Sequence, residues 1–321
     1  MESRQLGTSG LRVSRLGLGT LSWSTSTDAE DAANQLVAFV DAGGTLVDTA
    51  DIYGDGEVER LLGSLLGNLV PRESVVLATK SVARRGDGPF DGGASRGALL
   101  SALDGSLRRL GVDHIDLWQL HAWDNAVPIE ETLSALDYAL RSGKVRYVGV
   151  CNYTGWQLAT AAASMRDHRI VSIQSEYSLL ERGIEREVMP AAAHHGIGVL
   201  PWAPLGRGVL TGKYRTGTPA DSRGASSVYA NYVEQHRTER ASRIVEAVVT
   251  AAEGLGTSPL SVALAWVRDR PGVVAPIVGA RDKSQLAGSL ASESLTLPAA
   301  IRAALDDVSA IEFGYPERWP S

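Results

Sequence analysis

Three ionisable side chains lie within six residues of one another at a predicted corner of the chain. In LVDTADIYGDGEVERLLG, residues 46–63, Asp48 ends an apolar run, Asp51 and Tyr53 follow, and a segment of helical spacing begins near Glu57. A cation beside a tyrosine favours the phenolate and lowers a pKa that is ordinarily about 10. The corner therefore predicts a proton-transfer site in which Tyr53 is the donor.

Lys80 and His121 supply the partners that such a site needs. LATK ends at Lys80 and LWQLH ends at His121. Asp48 and Lys80 are predicted to lie at one level of neighbouring strands, where an ion pair avoids the cost of an isolated buried charge. Lys80 then lowers the pKa of Tyr53, and His121 donates a hydrogen bond to a substrate oxygen. Taken singly, each residue has an ordinary structural role, and Asp51 is expected to be a helix cap. Four such residues at successive strand ends favour catalysis.

The elements that must position these groups are eight short apolar runs, each followed by helical spacing. The predicted strands are 14–20, 45–50, 74–80, 114–121, 145–152, 170–177, 197–204 and 273–280. Continuous apolar runs are typical of a parallel sheet covered on both faces by helical crossovers. With no spacer dividing the chain, the pattern predicts an α/β fold, a single (β/α)8 TIM barrel over residues 1–321, rather than an open doubly wound sheet. Catalytic groups belong at the strand ends of a barrel, because the loops there build the site.

Further segments complete the predicted barrel. Helices are predicted at 28–41, 96–110, 130–141 and 185–195. The opening MESRQLGTSGLRV is predicted to be a β-hairpin that caps the lower mouth. The polar segment 207–240 is predicted to be a loop on the active face, and 299–311 an extra helix outside the barrel.

Composition excludes several classes of partner. The net charge is -6 and the pI about 5.6, so the chain offers no basic surface for nucleic acid and no polybasic patch for a membrane. No apolar run has the length of a signal peptide or a membrane span, and we expect a cytoplasmic protein. One cysteine, Cys151, excludes an internal disulfide and a cysteine-rich zinc site, and we expect no metal.

The motifs resemble, in order, those of the aldo-keto reductase superfamily from about Gln5 to Leu290. They are GGTLVDTADIYGDGEVERLLG, LATK, LWQLH, GVCN, IQSEYSLLER, LPWAPLGRGVLTGKY and PIVGARDKSQL. The resemblance implies a TIM barrel that transfers a hydride from NADPH to an aldehyde or ketone. It implies Tyr53 as general acid, Asp48 and Lys80 as the groups that lower its pKa, and His121 as the group that orients the carbonyl.

The cofactor must bind without a Rossmann motif, because GLGTLS at 17–22 lacks the last glycine. Barrels hold phosphates with the loops after the seventh and eighth strands. The resemblance implies that Asn152 and Gln174 bind the nicotinamide carboxamide, and that Trp202 stacks on its ring. Arg281 favours NADPH over NADH, since a guanidinium makes charge-assisted hydrogen bonds to a phosphate. The implied cofactor residues are Thr20, Asp48, Cys151, Asn152, Gln174, Trp202, Ala203, Pro204, Leu205, Gly206, Lys213, Gly279, Arg281, Gln285 and Ser289.

The predicted substrate pocket is lined by Trp23, Tyr53, His121, Trp123 and part of the segment 207–240, which suits a small carbonyl compound that is hydrophobic, planar or sugar-like. Two other functions stay open. Lys80 at a strand end is also the arrangement of a Schiff-base lyase. The same superfamily includes potassium-channel β subunits, which bind a nucleotide and serve as regulatory proteins. The resemblance implies that those subunits carry Asn at the position where this chain has His121. Because the hairpin is predicted at the very start of the sequence, we expect no inactivating peptide before it.

Overall fold

Eight parallel strands form the centre of the protein. The structure is a computed structural model that describes residues 1–165, 167–220, 222–226, 230–315 and 317–318. The strands are β3 (Gly17–Gly19), β4 (Leu46–Asp48), β5 (Val76–Ser81), β6 (Ile115–Leu120), β7 (Val145–Cys151), β8 (Ile170–Glu176), β9 (Gly198–Trp202) and β10 (Ile277–Gly279). Their order in the sheet is β10, β3, β4, β5, β6, β7, β8, β9. A parallel bridge between Val199 and Val273 joins the two edges, so the sheet is a nearly closed barrel. The predicted (β/α)8 architecture is confirmed.

The first and last barrel strands are shorter than predicted. They pack closely against each other, and Ser14, which was predicted to begin the first strand, belongs to the hairpin instead. Ser14 ends a hairpin strand, and its hydroxyl accepts hydrogen bonds from the backbone N–H groups of Thr45 and Leu46 at 2.9 and 3.2 Å. β3 then keeps only three residues. A Cβ added at Gly17 would lie 2.5 Å from the side chain of Ile277, so glycine is needed for β10 to pack beside β3.

The N-terminal hairpin closes the lower end of the barrel, as predicted. β1 (Ser3–Gln5) and β2 (Arg12–Ser14) pair antiparallel. Leu6 and Val13 are fully buried and form one apolar cluster with residues of the barrel strands, Leu46 among them. The backbone N–H of Thr8 donates to the carbonyl of Gly196 at 2.8 Å, which fixes the turn under β9.

The helices follow the strands as the spacing predicts. They are α1 (Ala29–Asp41), α2 (Glu57–Leu65), α3 (Arg96–Leu110), α4 (Ile129–Arg141), α5 (Gly155–Ser164), α6 (Val188–His195), α7 (Ala230–Glu234), α8 (Glu239–Leu255), α9 (Pro259–Arg268), α10 (Lys283–Ala291) and α11 (Ala299–Val308). Asp28 caps α1 by accepting from Asp31 N–H, and Ser95 caps α3. α6 begins at Val188 because the preceding Gly183–Glu185 forms a separate 3₁₀ turn.

The segment 207–240 differs from the predicted loop. It contains most of a 3₁₀ helix, Gly206–Thr211, then the short α7 and the start of α8, which Thr238 caps through Ala241 N–H. Residues 221 and 227–229 of this segment lie outside the described residues.

Among the described residues, no single helix combines the length and apolar content of a membrane span. α8 and α9 have the length and apolar content of a membrane span only when they are counted together, and this pair of helices is bent by 103°.

Candidate active site

A buried ion pair connects two neighbouring strands at the carboxyl-terminal mouth of the barrel. Asp48 is the last residue of β4, and Lys80 lies one residue before the end of β5. The Lys80 Nζ donates to Asp48 Oδ2 at 2.6 Å and to the Thr49 carbonyl at 2.8 Å. The Lys80 side chain is completely buried. Burial alone would lower the pKa of Lys80, but the nearby Asp48, with Tyr53 and Cys151 adding to its effect, raises the pKa by more, so the ammonium stays charged.

The second oxygen of Asp48 is also engaged. Gln174 Nε2 donates to Asp48 Oδ1 at 2.8 Å, and Gln119 Nε2 donates to the same oxygen at 3.3 Å. A buried ion pair is stable only when its remaining lone pairs are satisfied. The two glutamines meet this condition, and Gln174 thereby joins the predicted cofactor site to the catalytic ion pair.

Tyr53 lies on a tight turn directly above this pair. It begins the 3₁₀ segment Tyr53–Gly56, in which Gly54, Asp55 and Gly56 all have φ between 53° and 90°. This left-handed stretch, which favours glycine, turns the chain sharply between β4 and α2. The Tyr53 hydroxyl lies 3.5 Å from Lys80 Nζ, and the ammonium lies 5.2 Å from the ring centroid.

The predicted lowering of the Tyr53 pKa is wrong as a net effect. Burial of the phenol raises the pKa most, the positive charge of Lys80 lowers it, and the negative charge of Asp48 raises it again. The result is a pKa above the ordinary value, because burial disfavours the phenolate more than one shared ammonium favours it. Tyr53 is therefore protonated at neutral pH, as a proton donor must be.

His121 completes the group at the same mouth. It follows β6, and its backbone N–H donates to the Ser81 carbonyl at 2.8 Å. Its ring centroid lies 6.1 Å from that of Tyr53, at an interplanar angle of 72°. Burial and the positive charge of Lys80 lower the pKa of His121 to about 3, so the imidazole is neutral at pH 7. Its Nδ1 has no hydrogen-bond partner among the described residues, and a neutral imidazole carries one N–H donor.

A cavity of about 720 Å³ adjoins these residues. Its wall includes fifteen of the predicted site residues: Thr20, Asp48, Tyr53, His121, Asn152, Gln174, Trp202, Ala203, Pro204, Leu205, Lys213, Gly279, Arg281, Gln285 and Ser289. The wall thus combines side chains at strand ends with residues of the loops after β9 and β10. This size and these lining residues fit a cofactor whose reacting ring lies near Tyr53 and whose phosphates lie near the two loops.

Hydrogen bonds hold the residues of the predicted nicotinamide end in place. Asn152, with φ 58°, donates from Nδ2 to the His121 carbonyl at 3.0 Å. Its Oδ1 accepts from Trp202 Nε1 at 2.9 Å, and its backbone N–H donates to the Gln174 carbonyl at 2.9 Å. These bonds fix the indole of Trp202 and leave Asn152 one further N–H for a carboxamide.

The loops after β9 and β10 have the donors that an anionic group requires. Arg281 comes directly before Asp282, which caps α10 by accepting from Gln285 N–H. The Arg281 backbone N–H donates to Gln285 Oε1 at 3.2 Å. Lys213, an exposed residue of the loop after β9, also lines the cavity. A helix N-terminus and nearby cations suit phosphate, so the described residues fit the phosphates of a nicotinamide dinucleotide.

Comparison with known proteins decides the family. The model of the aldo/keto reductase family matches residues 15–310. The chain belongs to this family. An uncharacterized oxidoreductase of Bacillus subtilis, YrpG, is 39% identical over 320 residues, covering 96% of both chains. The aldo-keto reductase dtxS3 of Metarhizium robertsii is 35% identical and covers 91% of this chain and 86% of its own. A probable voltage-gated potassium channel subunit beta of Oryza sativa subsp. japonica is 32% identical, covering 100% of this chain and 99% of its own.

Family membership makes the protein an oxidoreductase of the aldo-keto reductase type. Members of the family generally use nicotinamide cofactors, which agrees with the size of the cavity and the hydrogen-bond donors that line it.

Several predicted residues lie outside the cavity wall of this aldo/keto reductase. Lys80 and Cys151 are buried behind it, and burial raises the pKa of the Cys151 thiol. Gly206 is buried under Leu180 and also does not line the wall. The prediction that Trp23 lines the substrate pocket is wrong. Its ring is fully buried in the core and Nε1 donates to Gln35 Oε1 at 3.2 Å, because the loop after β3 turns it inward against α1. Trp123 packs against aromatic neighbours outside the wall.

Arg207 lines the cavity and belongs to the segment 207–240, part of which was predicted to line the pocket, but its own role was not predicted. Its guanidinium makes a bidentate pair with Glu176, at 3.0 and 2.7 Å, and donates to the Tyr232 carbonyl at 2.6 Å. It also lies 3.6 Å from the centroid of the Tyr232 ring. These contacts hold α7 at the edge of the cavity, beside the end of β8. The only sequence signal was an arginine within the glycine-rich LGRGVL.

Asp51 has a different role from the predicted helix cap. It is fully buried, neither carboxyl oxygen has a hydrogen-bond partner among the described residues, and Arg85 Nε lies 3.4 Å away. Burial raises the pKa of Asp51 to about 7, with Glu59 adding to the rise and Arg85 and Arg109 opposing it. The start of α2 lacks any side-chain cap. Protonation of the Asp51 carboxyl avoids the free-energy cost of burying a negative charge.

Asp51→Asn is expected to change how stability depends on pH. The folded pKa of about 7 exceeds the unfolded value of 3.8, so between these limits the folded state binds more protons and its stability falls as pH rises. From pH 5 to pH 8 the wild type should lose about 2 kcal/mol more unfolding free energy than Asp51→Asn. Urea unfolding at both pH values measures this difference, with Asp55→Asn, an exposed carboxyl of the same turn, as control. Equal pH dependence in wild type and Asp51→Asn would contradict the assignment.

Proposed function

We propose that the protein reduces the carbonyl group of small aldehydes or ketones to an alcohol, with NADPH as hydride donor. The observation that carries this proposal is the position of the Tyr53 hydroxyl, 3.5 Å from an ammonium that Asp48 holds completely buried, beside the neutral His121. A protonated phenol, a fixed cation and a neutral imidazole at the end of a nucleotide-sized cavity match the requirements of hydride reduction.

The roles of the residues follow from their charges. When bound, NADPH supplies a hydride to the carbonyl carbon. The Tyr53 hydroxyl donates its proton to the carbonyl oxygen as negative charge develops there, and the O–H bond breaks to leave a phenolate. Lys80 stabilises this phenolate, since its ammonium is fixed by Asp48 and cannot move away. The N–H group of neutral His121 donates a hydrogen bond to the carbonyl oxygen, and the neutral imidazole does not transfer its proton to that oxygen. Asn152, Gln174 and Trp202 would hold the nicotinamide.

A screen of aldehydes and ketones with NADPH, followed at 340 nm, tests the proposed activity. Consumption of NADPH that depends on both enzyme and carbonyl compound is the expected result. If no aldehyde or ketone in a broad panel were reduced, while NADPH still bound, the reductase proposal would fail.

Arg281→Ala is expected to separate the two nicotinamide cofactors. Arg281 lines the cavity in the loop that precedes α10, where it would hold a 2'-phosphate by charge-assisted hydrogen bonds. Losing them should raise the KM for NADPH about 30-fold and the KM for NADH less than threefold. Initial rates with each cofactor give both values. Arg302→Ala, an exposed arginine on α11, is the matched control. Equal effects of Arg281→Ala on both cofactors would exclude a 2'-phosphate contact.

The Schiff-base alternative receives no support from the geometry. Lys80 Nζ is bound to Asp48 and to the Thr49 carbonyl, and its raised pKa keeps it protonated, whereas imine formation needs the neutral amine. Borohydride reduction in the presence of substrate should therefore leave no covalent adduct on Lys80, which intact-mass measurement checks.

A regulatory role remains a second candidate, because proteins named as potassium channel β subunits match this chain over nearly its full length. Such a role needs a nucleotide-binding barrel but no turnover. The four converging side chains favour the enzyme, and co-purification with a membrane channel would favour the regulatory subunit.

A further inference from the structure

Three aromatic rings pack together beside the reacting end of the cavity. Trp123 lies in the loop after β6, Tyr153 in the loop after β7, and Trp156 on the first turn of α5. The ring centroids of Trp123 and Tyr153 are 5.2 Å apart, and those of Trp123 and Trp156 are 5.3 Å apart, both in edge-to-face geometry. We call these three residues the aromatic ledge.

The aromatic ledge continues the wall that holds the reacting groups. Trp123 comes two residues after His121, and Tyr153 comes directly after Asn152. His121 and Asn152 both line the cavity, and the bond from Asn152 Nδ2 to the His121 carbonyl ties their two loops together. The three ledge residues do not line the cavity themselves, but Trp123 and Tyr153 belong to the same two loops as the lining residues His121 and Asn152.

Trp156 is exposed in a way that its own packing does not explain. Its side chain is 57% exposed, although tryptophan is a highly buried residue on average, whereas Tyr153 below it is only 3% exposed. Tyr138, another exposed aromatic residue at 45%, lies on the outer surface of α4 with the Arg96 guanidinium over its ring. Trp156 instead contacts Trp123 in edge-to-face geometry, next to the loops that carry His121 and Asn152, and more than half of its surface stays exposed at 57%.

The base of the ledge is rigid. Thr154 and Gln157 form a reciprocal capping box at the start of α5. Gly155 packs so closely on the residue that precedes α6 that an added Cβ would lie 2.4 Å from the side chain of Glu187. These contacts hold the backbone of Trp156, and its ring contacts Trp123. A positioned aromatic surface loses less conformational entropy when it binds a ring.

We propose that Trp156, supported by Trp123, forms an outer subsite for an aromatic ring that a carbonyl substrate carries at a distance from its reacting carbon. The proposal rests on the proposed function for the place of the carbonyl, between Tyr53 and His121. An aryl ring is favoured over a sugar ring because the ledge presents tryptophan ring surface, and each oxygen of the neighbouring carboxylate, Asp124, already accepts a hydrogen bond, from the N–H groups of Ala94 and Ala126. The ledge thus offers ring surface rather than acceptors for hydroxyl groups.

Kinetics with matched aldehydes test the subsite. Trp156→Ala should lower kcat/KM for 4-phenylbutanal about fivefold, mainly through KM, and leave propanal within twofold, because one aromatic contact is lost and the reacting groups are untouched. Trp156→Phe should retain most of the wild-type preference. Tyr138→Ala, which removes an exposed ring far from the mouth, should change neither substrate. An equal effect of Trp156→Ala on both aldehydes, or no effect on either, would overturn the subsite.

Calorimetry separates a failure of the subsite from a failure of the proposed activity. Binding of 4-phenylbutan-1-ol and butan-1-ol to the NADPH complex needs no turnover. The phenyl compound should bind about fivefold more weakly to Trp156→Ala than to wild type, and butan-1-ol equally to both. If no aldehyde is reduced but this difference is seen, the reductase proposal fails and the subsite holds. If the phenyl compound binds equally to both proteins, the subsite fails whatever the activity.

Discussion

Replacing Tyr53 by phenylalanine is expected to lower kcat about 1,000-fold while the Kd for NADPH changes less than twofold. Among the described residues of this mouth, the Tyr53 phenol is the acid placed to give up a proton, since Lys80 is bound to Asp48 and His121 is neutral, and the raised pKa of Tyr53 keeps that proton in place at neutral pH. Phenylalanine preserves the ring contacts with His121 and Lys80 but not the donor. Single-turnover rates measure the chemical step, and quenching of protein fluorescence measures NADPH binding.

Tyr147→Phe is the matched control for this experiment. Its hydroxyl lies near Gly10 of the hairpin, at the opposite end of the barrel, so its loss should leave kcat unchanged. Tyr53→Phe that turned over at the wild-type rate would show that another group supplies the proton. Weakened NADPH binding with an unchanged chemical rate would assign Tyr53 to the cofactor pocket alone.

The sequence predicts the barrel and the place of the four reacting side chains because both depend on local patterns. An apolar run that ends in a polar residue marks the carboxyl end of a strand, and parallel strands bring these ends together. Asp48 and Lys80 could be paired for this reason before their 2.6 Å contact was known. The hairpin and α3 are likewise recognisable from a turn and from caps that lie within the segment.

Features that depend on distant residues were not predictable in the same way. Trp23 follows a strand end, as a pocket residue would, but its burial depends on where α1 packs. The role of Arg207 depends on its contacts with Glu176, at the end of β8, and with Tyr232, on α7. The direction of the Tyr53 pKa is a balance between burial and two opposite charges, and residue types alone do not give the size of the burial effect.

Lys80→Met is expected to reduce both stability and turnover. It leaves the Asp48 carboxylate buried with only Gln174 and Gln119 as hydrogen-bond donors, which should cost about 3 kcal/mol of unfolding free energy. It also removes the charge that stabilises the Tyr53 phenolate, so kcat should fall at least 100-fold. Urea unfolding and single-turnover rates give the two quantities.

The double variant Asp48→Asn/Lys80→Met separates these two roles. With both charges removed, no unpaired ion remains, and most of the stability lost in Lys80→Met should return. Turnover should not return, because a neutral pair cannot stabilise a phenolate. A double variant that stayed as unstable as Lys80→Met would show that methionine simply packs badly on β5. A double variant that regained turnover would remove Lys80 from the mechanism, since the phenolate would then need no cation.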